Sequence, residues 1–255
     1  MLEVHVLASG SDGNCTVIQL DDEAVMIDAG LSYRATHKLM EQEGVDESCI
    51  KALLITHEHS DHVAGAGPVA RKLKVPVFCN LATFDAFRHG DVEYRETHTL
   101  RSFVAGGFEI MPLPTSHNAA EPNAYYLQAD GLKVLVATDT GKLTYPCQHA
   151  LAEADVAVIE ANYDSTMLRE GPYPESLKRL IASDMGHLCN AETAKQIRDT
   201  AYENPDRKIF LAHLSKTNNT PDIARETVAQ ISGIRRMKLD CLEFPGDTRT
   251  LTVSR

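Results

Sequence analysis

The segment Leu53-Leu54-Ile55-Thr56-His57-Glu58-His59-Ser60-Asp61-His62-Val63-Ala64-Gly65 limits this chain more than any other. An apolar run that reads as a buried strand passes straight into the pattern HxHxDH. In extended backbone, side chains two apart share a face, so His57 and His59 reach one point in space. A turn into helix at Asp61 would swing Asp61 and His62 toward a second point nearby. Imidazole mixed with carboxylate suits Zn²⁺, Mn²⁺ or iron better than Ca²⁺ or Mg²⁺. The competing reading is a polar loop that happens to be histidine-rich. Four metal-competent side chains in six positions after an apolar strand weigh against it.

Three other segments repeat the arrangement of a ligand-type residue just past an apolar strand. Phe108–Leu113 leads to His117, Val134–Ala137 leads to Asp139, and Ile209–Ala212 leads to His213. Each alone is weak, because a lone His after a strand is more often a hydrogen-bonded structural residue. Together they carry weight, since strand ends on one rim of a sandwich converge.

The strands that carry these residues belong to a wider pattern of short apolar runs. Val4–Ala8, Thr16–Leu20, Ala24–Ile27, Ala52–Thr56, Val75–Cys79, Phe108–Leu113, Ala124–Ala129, Val134–Thr138, Val156–Glu160 and Lys208–Ala212 are the expected strands. Asp130-Gly131 marks a hairpin. Helices are expected after Ser32 (with Gly44 as the stop), Gly67, Pro174, Asn190 (as a cap) and Pro221. Hairpins dominate early and recur mid-chain, unlike the strict alternation of a doubly wound fold. The expectation is an α/β (α+β) chain of two mixed sheets packed face to face with helices outside. No linker, repeat or low-complexity tract divides its 255 residues, so residues 1–255 read as a single domain.

Composition sets broad limits. No apolar run approaches the roughly 20 residues of a membrane span, and the opening Met1–Leu7 carries no basic leader. Six scattered cysteines without a CxxC pair read as reduced thiols, so a cytoplasmic location is expected. A net charge of −11 counts against coating nucleic acid by bulk electrostatics. It leaves room for a nuclease, because bound divalent cations would make an acidic site locally positive. Of the 11 histidines, His5, His37, His89, His98 and His149 have no ligand-like context and read as surface or packing residues.

HxHxDH followed by a single His, an Asp and a final His resembles the ligand order of the metallo-β-lactamase superfamily, whose fold is an αββα sandwich. The resemblance spans essentially the whole chain. It implies that His57, His59 and His117 hold one metal ion, that Asp61, His62 and His213 hold a second, and that Asp139 bridges them. Asp28, in Ile27-Asp28-Ala29-Gly30, matches the early aspartate that supports the ligands from behind. His62 and Asp139 depart from the zinc β-lactamases, and His59 departs from the flavodiiron oxidoreductases. Leu7-Ala8-Ser9-Gly10-Ser11-Asp12-Gly13-Asn14, Met167–Arg179 with Ser183–Asn190, and Leu211–Asn219 are similar to the YycJ/WalJ group, small nucleases of the superfamily regarded as DNA exonucleases. Cys189 stands where that group usually has Ser.

The resemblance implies phosphodiester hydrolysis with a metal-bridging hydroxide as nucleophile and nucleic acid, DNA foremost, as substrate. Asp61 would orient the nucleophile, and His187 would stabilise the transition state or protonate the leaving group. A structural His before a helix is the plainer reading of His187. Ser9, Ser11 and Asn14 form a polar loop that could present N–H groups to phosphate, and Lys216 and Asn218 are chemically suited to grip a backbone phosphate. Arg71-Lys72, Lys178-Arg179 and Arg235-Arg236 are the basic candidates for gripping such a substrate, although pairs of this kind usually are just solvated helix faces. The same metals could serve a thioester, lactone or cyclic phosphodiester hydrolase. A non-catalytic metal-binding scaffold is the other alternative, but a degenerate scaffold should have lost ligands and every expected position here is filled.

Overall fold

In the computed structural model, which describes residues 1–201 and 203–254, the chain opens as a meander of β1 (Leu2–Ala8), β2 (Cys15–Leu20) and β3 (Glu23–Ile27). Helix α1 (Tyr33–Glu43) crosses to β4 (Ile50–Leu54), which lies parallel to β3. Its ends follow from the sequence: Ser32 Oγ accepts from the Ala35 N–H, and Gly44 takes the left-handed conformation at φ 71°. Short helices α2 (Ser60–Val63) and α3 (Ala66–Leu73) lead to β5 (Val77–Cys79), α4 (Leu81–Ala86) and β6 (Tyr94–Glu96). The second half begins with β7 (Phe103–Ala105), β8 (Phe108–Pro114), β9 (Asn123–Ala129) and β10 (Leu132–Ala137), all antiparallel. Then come α5 (Tyr145–Glu153), β11 (Val156–Glu160), α6 (Ser165–Glu170), α7 (Glu175–Ile181), α8 (Asn190–Thr200) and β12 (Lys208–Ala212). Helix α9 (Pro221–Ser232), β13 (Leu239–Asp240) and β14 (Arg249–Val253) complete the described elements.

The strands form two mixed sheets, ordered β14-β1-β2-β3-β4-β5-β6 and β13-β12-β11-β10-β9-β8-β7. Alternation along the strands builds three apolar layers. Val4, Val6, Val134, Val136, Phe210 and their neighbours fill the space between the sheets. Met26, Leu53 and Ile55 face α1 and α3 on one outer side, and Leu135, Ile209 and Leu211 face α5, α8 and α9 on the other. The result is the expected αββα sandwich. Each of the ten expected strands is present, with ends shifted by a few residues, and the Asp130-Gly131 turn has positive φ at both positions (49° and 69°), as a type I′ hairpin requires. Strands β6, β7, β13 and β14 escaped the sequence reading because they are short or carry mixed polar side chains.

Strand direction positions the site. Strands β10, β11 and β12 run parallel, and β8 shares their direction because two antiparallel steps separate it from β10. Their C-terminal ends therefore share one edge. The ends of parallel β3 and β4 meet that edge, where the Asn123 N–H donates to the Thr56 carbonyl at 3.0 Å. Two glycines let the loops there cross backbone against backbone. A Cβ at Gly30 would run into the Asp61 carbonyl, and one at Gly65 into the Leu31 carbonyl.

Candidate metal centre

The first sheet contributes one continuous loop and the carboxylate behind it. Asp28 follows β3 with a left-handed φ of 59° and is buried. Its Oδ1 accepts from the Thr56 N–H at 2.9 Å, and its Oδ2 lies 2.7 Å from His62 Nδ1. The carboxylate thus accepts the Nδ1 hydrogen bond and turns Nε2 toward the cluster, 3.4 Å from Asp61 Oδ2 and 3.0 Å from Asp139 Oδ2. Thr56 Oγ1 reaches Asp28 and also lies 3.0 Å from His57 Nδ1, fixing that ring from the same side. The turn into α2 at Ser60 brings Asp61 and His62 round as the sequence predicts.

The second sheet supplies its groups one strand end at a time. After β8, His117 Nδ1 donates to the Gly186 carbonyl at 3.0 Å, which leaves Nε2 3.3 Å from His59 Nδ1. After β10, Asp139 adopts φ 53°, and after β12, His213 adopts φ 55°. Side chains rarely hold this conformation without tertiary support. Glu160, the last residue of β11 and fully buried, gives that support. Its Oε1 lies 3.1 Å from His213 Nδ1 and 2.7 Å from His187 Nδ1, while Oε2 accepts from the Thr140 N–H at 2.8 Å. Asn162 donates to the His213 carbonyl at 2.8 Å.

The donor atoms converge in overlapping groups, each within 4.8 Å: His57, His59 and His117; Asp61, His62 and His213; and Asp139 with His57 and His62. His57 Nε2 is buried and has no hydrogen-bond partner, and Asp139 Oδ2 has only His62 Nε2, 3.0 Å away, beside it. Buried polar atoms are ordinarily satisfied, so an orphaned imidazole nitrogen inside a nest of imidazoles and carboxylates fits a divalent cation. The protonic balance agrees. Burial pushes the His57 imidazole well below its usual range, assisted by His62. Burial also opposes charging His62 and His213, yet Asp28 and Asp139 hold His62 well above, and Asp139, Asp61 and Glu160 hold His213 up at about 10. Burial opposes ionising Asp139 and Asp61 too, but the imidazoles around them keep both carboxyls well below the carboxylate range.

The five residues proposed to touch substrate fall in different places. Ser11 lines the cavity of about 250 Å³ that holds His59, Asp61, His117, Asp139, His187 and His213. Ser9 Oγ accepts from the His213 N–H at 2.7 Å, and buried Asn14 lies 3.2 Å from Asp61 Oδ2 through Nδ2, so both touch donor residues. Lys216 pairs with Asp12 and lines a separate groove, and Asn218 is buried beside Gly171, so neither lines the cavity. Of the basic pairs, Arg71 is tied to the His89 carbonyl, Lys178 to the Arg169 carbonyl and Arg236 to Asp222. Asn190 corrects an expectation. It is the first residue of α8 rather than its cap, because its amide pairs reciprocally with Asn219 at 3.0 and 2.8 Å, and Cys189 takes the cap position. Sequence reading missed Glu160, Thr56 and Asn162. Glu160 ends an apolar strand in a carboxylate, the signal that marked Asp139 and His213, while Thr56 and Asn162 carry no signal apart from adjacency to that edge.

A family described as the beta-lactamase superfamily domain matches residues 23–213. A Bacillus anthracis protein named exodeoxyribonuclease YycJ is 38% identical over 237 residues, covering 90% of this chain and 89% of its own. Exodeoxyribonuclease WalJ of Streptococcus pneumoniae is 35% identical over 230 residues, covering 88% and 85%. Among solved structures, the metallo-beta-lactamase fold protein YhfI of Bacillus subtilis superposes with a TM-score of 0.74 at 18% identity, covering 98% of this chain and 99% of its own.

Proposed function

Since the chain belongs to the metallo-β-lactamase superfamily, in its YycJ/WalJ-like group of metal-dependent nucleases, we propose that it is a DNA exonuclease working with two divalent ions. The observation that carries the two-ion reading is the presence of two separate donor triads, with Asp139 oxygens 3.0 Å from His62 and 3.7 Å from His117, one member of each. His57, His59 and His117 would hold one ion and Asp61, His62 and His213 the other, with Asp139 shared and Zn²⁺, Mn²⁺ or iron fitting this donor set. Bound there, such ions supply a nucleophile near neutral pH and neutralise the phosphate oxygens. Residues 1–255 would act as one catalytic domain, and six unpaired thiols fit a cytoplasmic setting. No helix among the described residues is long and apolar enough to cross a membrane.

The chain's own groups then divide the work. Asp61, held by Asn14 between His62 and His213, orients the attacking water. His187 lines the same cavity with Nδ1 committed to Glu160, so Nε2 is its free nitrogen and meets the charge developing on the leaving oxygen. Burial works against a proton on His187, but Glu160 raises its affinity for one, which suits a proton donor. Ser11, on the cavity wall, offers a hydroxyl to the phosphate.

The test is a nuclease assay with 5′- and 3′-labelled DNA and RNA, and a thioester control, under Zn²⁺, Mn²⁺ and Fe²⁺. Stepwise release of nucleotides from one DNA end supports the reading. Cleavage of the thioester with no nucleic acid degraded would overturn it.

A further inference from the structure

Helix α7 turns its apolar face away from the protein core. Its seven residues, Glu-Ser-Leu-Lys-Arg-Leu-Ile, include none that is buried. The three apolar ones, Leu177, Leu180 and Ile181, stand at spacings of three and four, one stripe on one side of the helix. In an ordinary surface helix such a stripe packs inward. Here all three residues line the cavity that contains the donor groups, and Leu177 and Leu180 are 38% and 45% exposed.

The helix is fixed in this pose. The Gly186 N–H donates to the Ser183 carbonyl and the His187 N–H to the Ile181 carbonyl, both at 2.9 Å. A Cβ at Gly186 would strike the Leu180 and Ile181 carbonyls, and one at Gly141, two residues past Asp139, would strike the turn at Ser183–Asp184. The two segments that flank the α7 stripe are therefore pressed against the backbone that carries Asp139 and His187. The leucines form one wall of the cavity.

Taking the phosphodiester reading as its basis, we propose that this wall receives the nucleobase and sugar of a nucleotide next to the scissile phosphate, through apolar contact alone. The occupant follows from what shares the chamber. A phosphate seated at the donor groups carries a nucleoside on each side, and α7 is the apolar surface of that chamber. Leucine and isoleucine side chains have no hydrogen-bonding groups and cannot read base edges. The contact therefore recognises that a base is present without recognising which base, as an exonuclease that advances along any sequence requires.

Single-stranded DNA oligonucleotides carrying either a normal terminal nucleotide or an abasic one, at the first or second position, test this in the metal-loaded protein. Wild type should favour the base-bearing end by about tenfold in kcat/KM, the scale expected from removing roughly 50 Å² of apolar surface from water. Leu177→Ser/Leu180→Ser should bring that ratio near one for all four bases, and should weaken binding of the normal oligonucleotide to metal-free protein by fluorescence anisotropy. Leu81→Ser, an equally exposed leucine outside the cavity, should keep the ratio. An unchanged ratio in the double variant, or a change only in its oligomeric state, overturns the proposal while leaving the nuclease reading intact. Cleavage of neither oligonucleotide by wild type overturns both.

Discussion

Two buried carboxylates brace the site, one in each sheet, and they differ in reach. Asp28 holds one imidazole, His62, and shares Thr56 with it. Glu160 holds two, His213 and His187, through the same oxygen. On the first side the donors lie within six consecutive residues and need one brace. On the second they come from separate strands, and one carboxylate couples a metal-binding candidate to the candidate proton donor. The first side is organised by chain continuity, the second by shared hydrogen bonds. Damage should stay local on the first side and spread on the second.

Asp139, where the two sides meet, should show the largest effect. Asp139→Asn, which keeps shape and tolerates the left-handed backbone, should abolish detectable nuclease activity and cost at least one metal ion per chain. Two ions retained by elemental analysis would count against its bridging both donor groups. Next comes His187→Ala, expected to lower kcat by roughly 10²–10⁴-fold with metal content unchanged. Equal loss of metal would make it a ligand instead. The comparison itself is tested by Glu160→Gln against Asp28→Asn. Losing such a support typically costs about 10–100-fold in metal affinity or activity. Asp28→Asn should lower metal affinity and leave kcat at saturating metal nearly intact, whereas Glu160→Gln should lower both. Identical profiles would erase the distinction.

The smallest effect is a pH slope. In metal-free protein His213 keeps its proton up to about pH 10, above the ordinary imidazole value near 6.5. Its contribution to metal-free stability is full below that ordinary value and is lost as pH rises through about 10. A cation must expel this proton and that of His62, so metal uptake should release protons and tighten as pH rises from 6 to 8. Calorimetry in buffers of differing ionisation enthalpy measures the release. Affinity that is flat with pH would contradict the protonated, metal-free arrangement.

The sequence made half of this readable, for a physical reason. His57, His59, Asp61 and His62 are neighbours in the chain, and periodicity alone puts them together. Asp139 and His213 became legible through the rule that parallel strand ends share an edge. That rule also reaches Glu160, between them in the sheet, but a Glu that closes the strand Val156–Glu160 looks in sequence like an ordinary polar strand end. Asn190 was misplaced because an amide suits a helix cap as well as a buried amide pair, and only tertiary packing decides between them. The apolar stripe of α7 reads like any surface helix in sequence, since spacing does not reveal which side is inward.

The loop crossing at Gly30 and Gly65 bears on how the protein meets its cation. The Ala29 N–H donates to the His62 carbonyl and the Gly65 N–H to the Ala29 carbonyl, both at 2.8 Å, and the Asn14 N–H reaches the Asp61 carbonyl at 2.7 Å. This clasp is made entirely of main-chain hydrogen bonds. Bonds of this kind meet the ordering entropy of the His57–His62 loop from the fold itself, rather than from contacts to a cation. Alanine at either glycine would pry the clasp open, so its effect should surface first as a lower melting temperature of the metal-free protein.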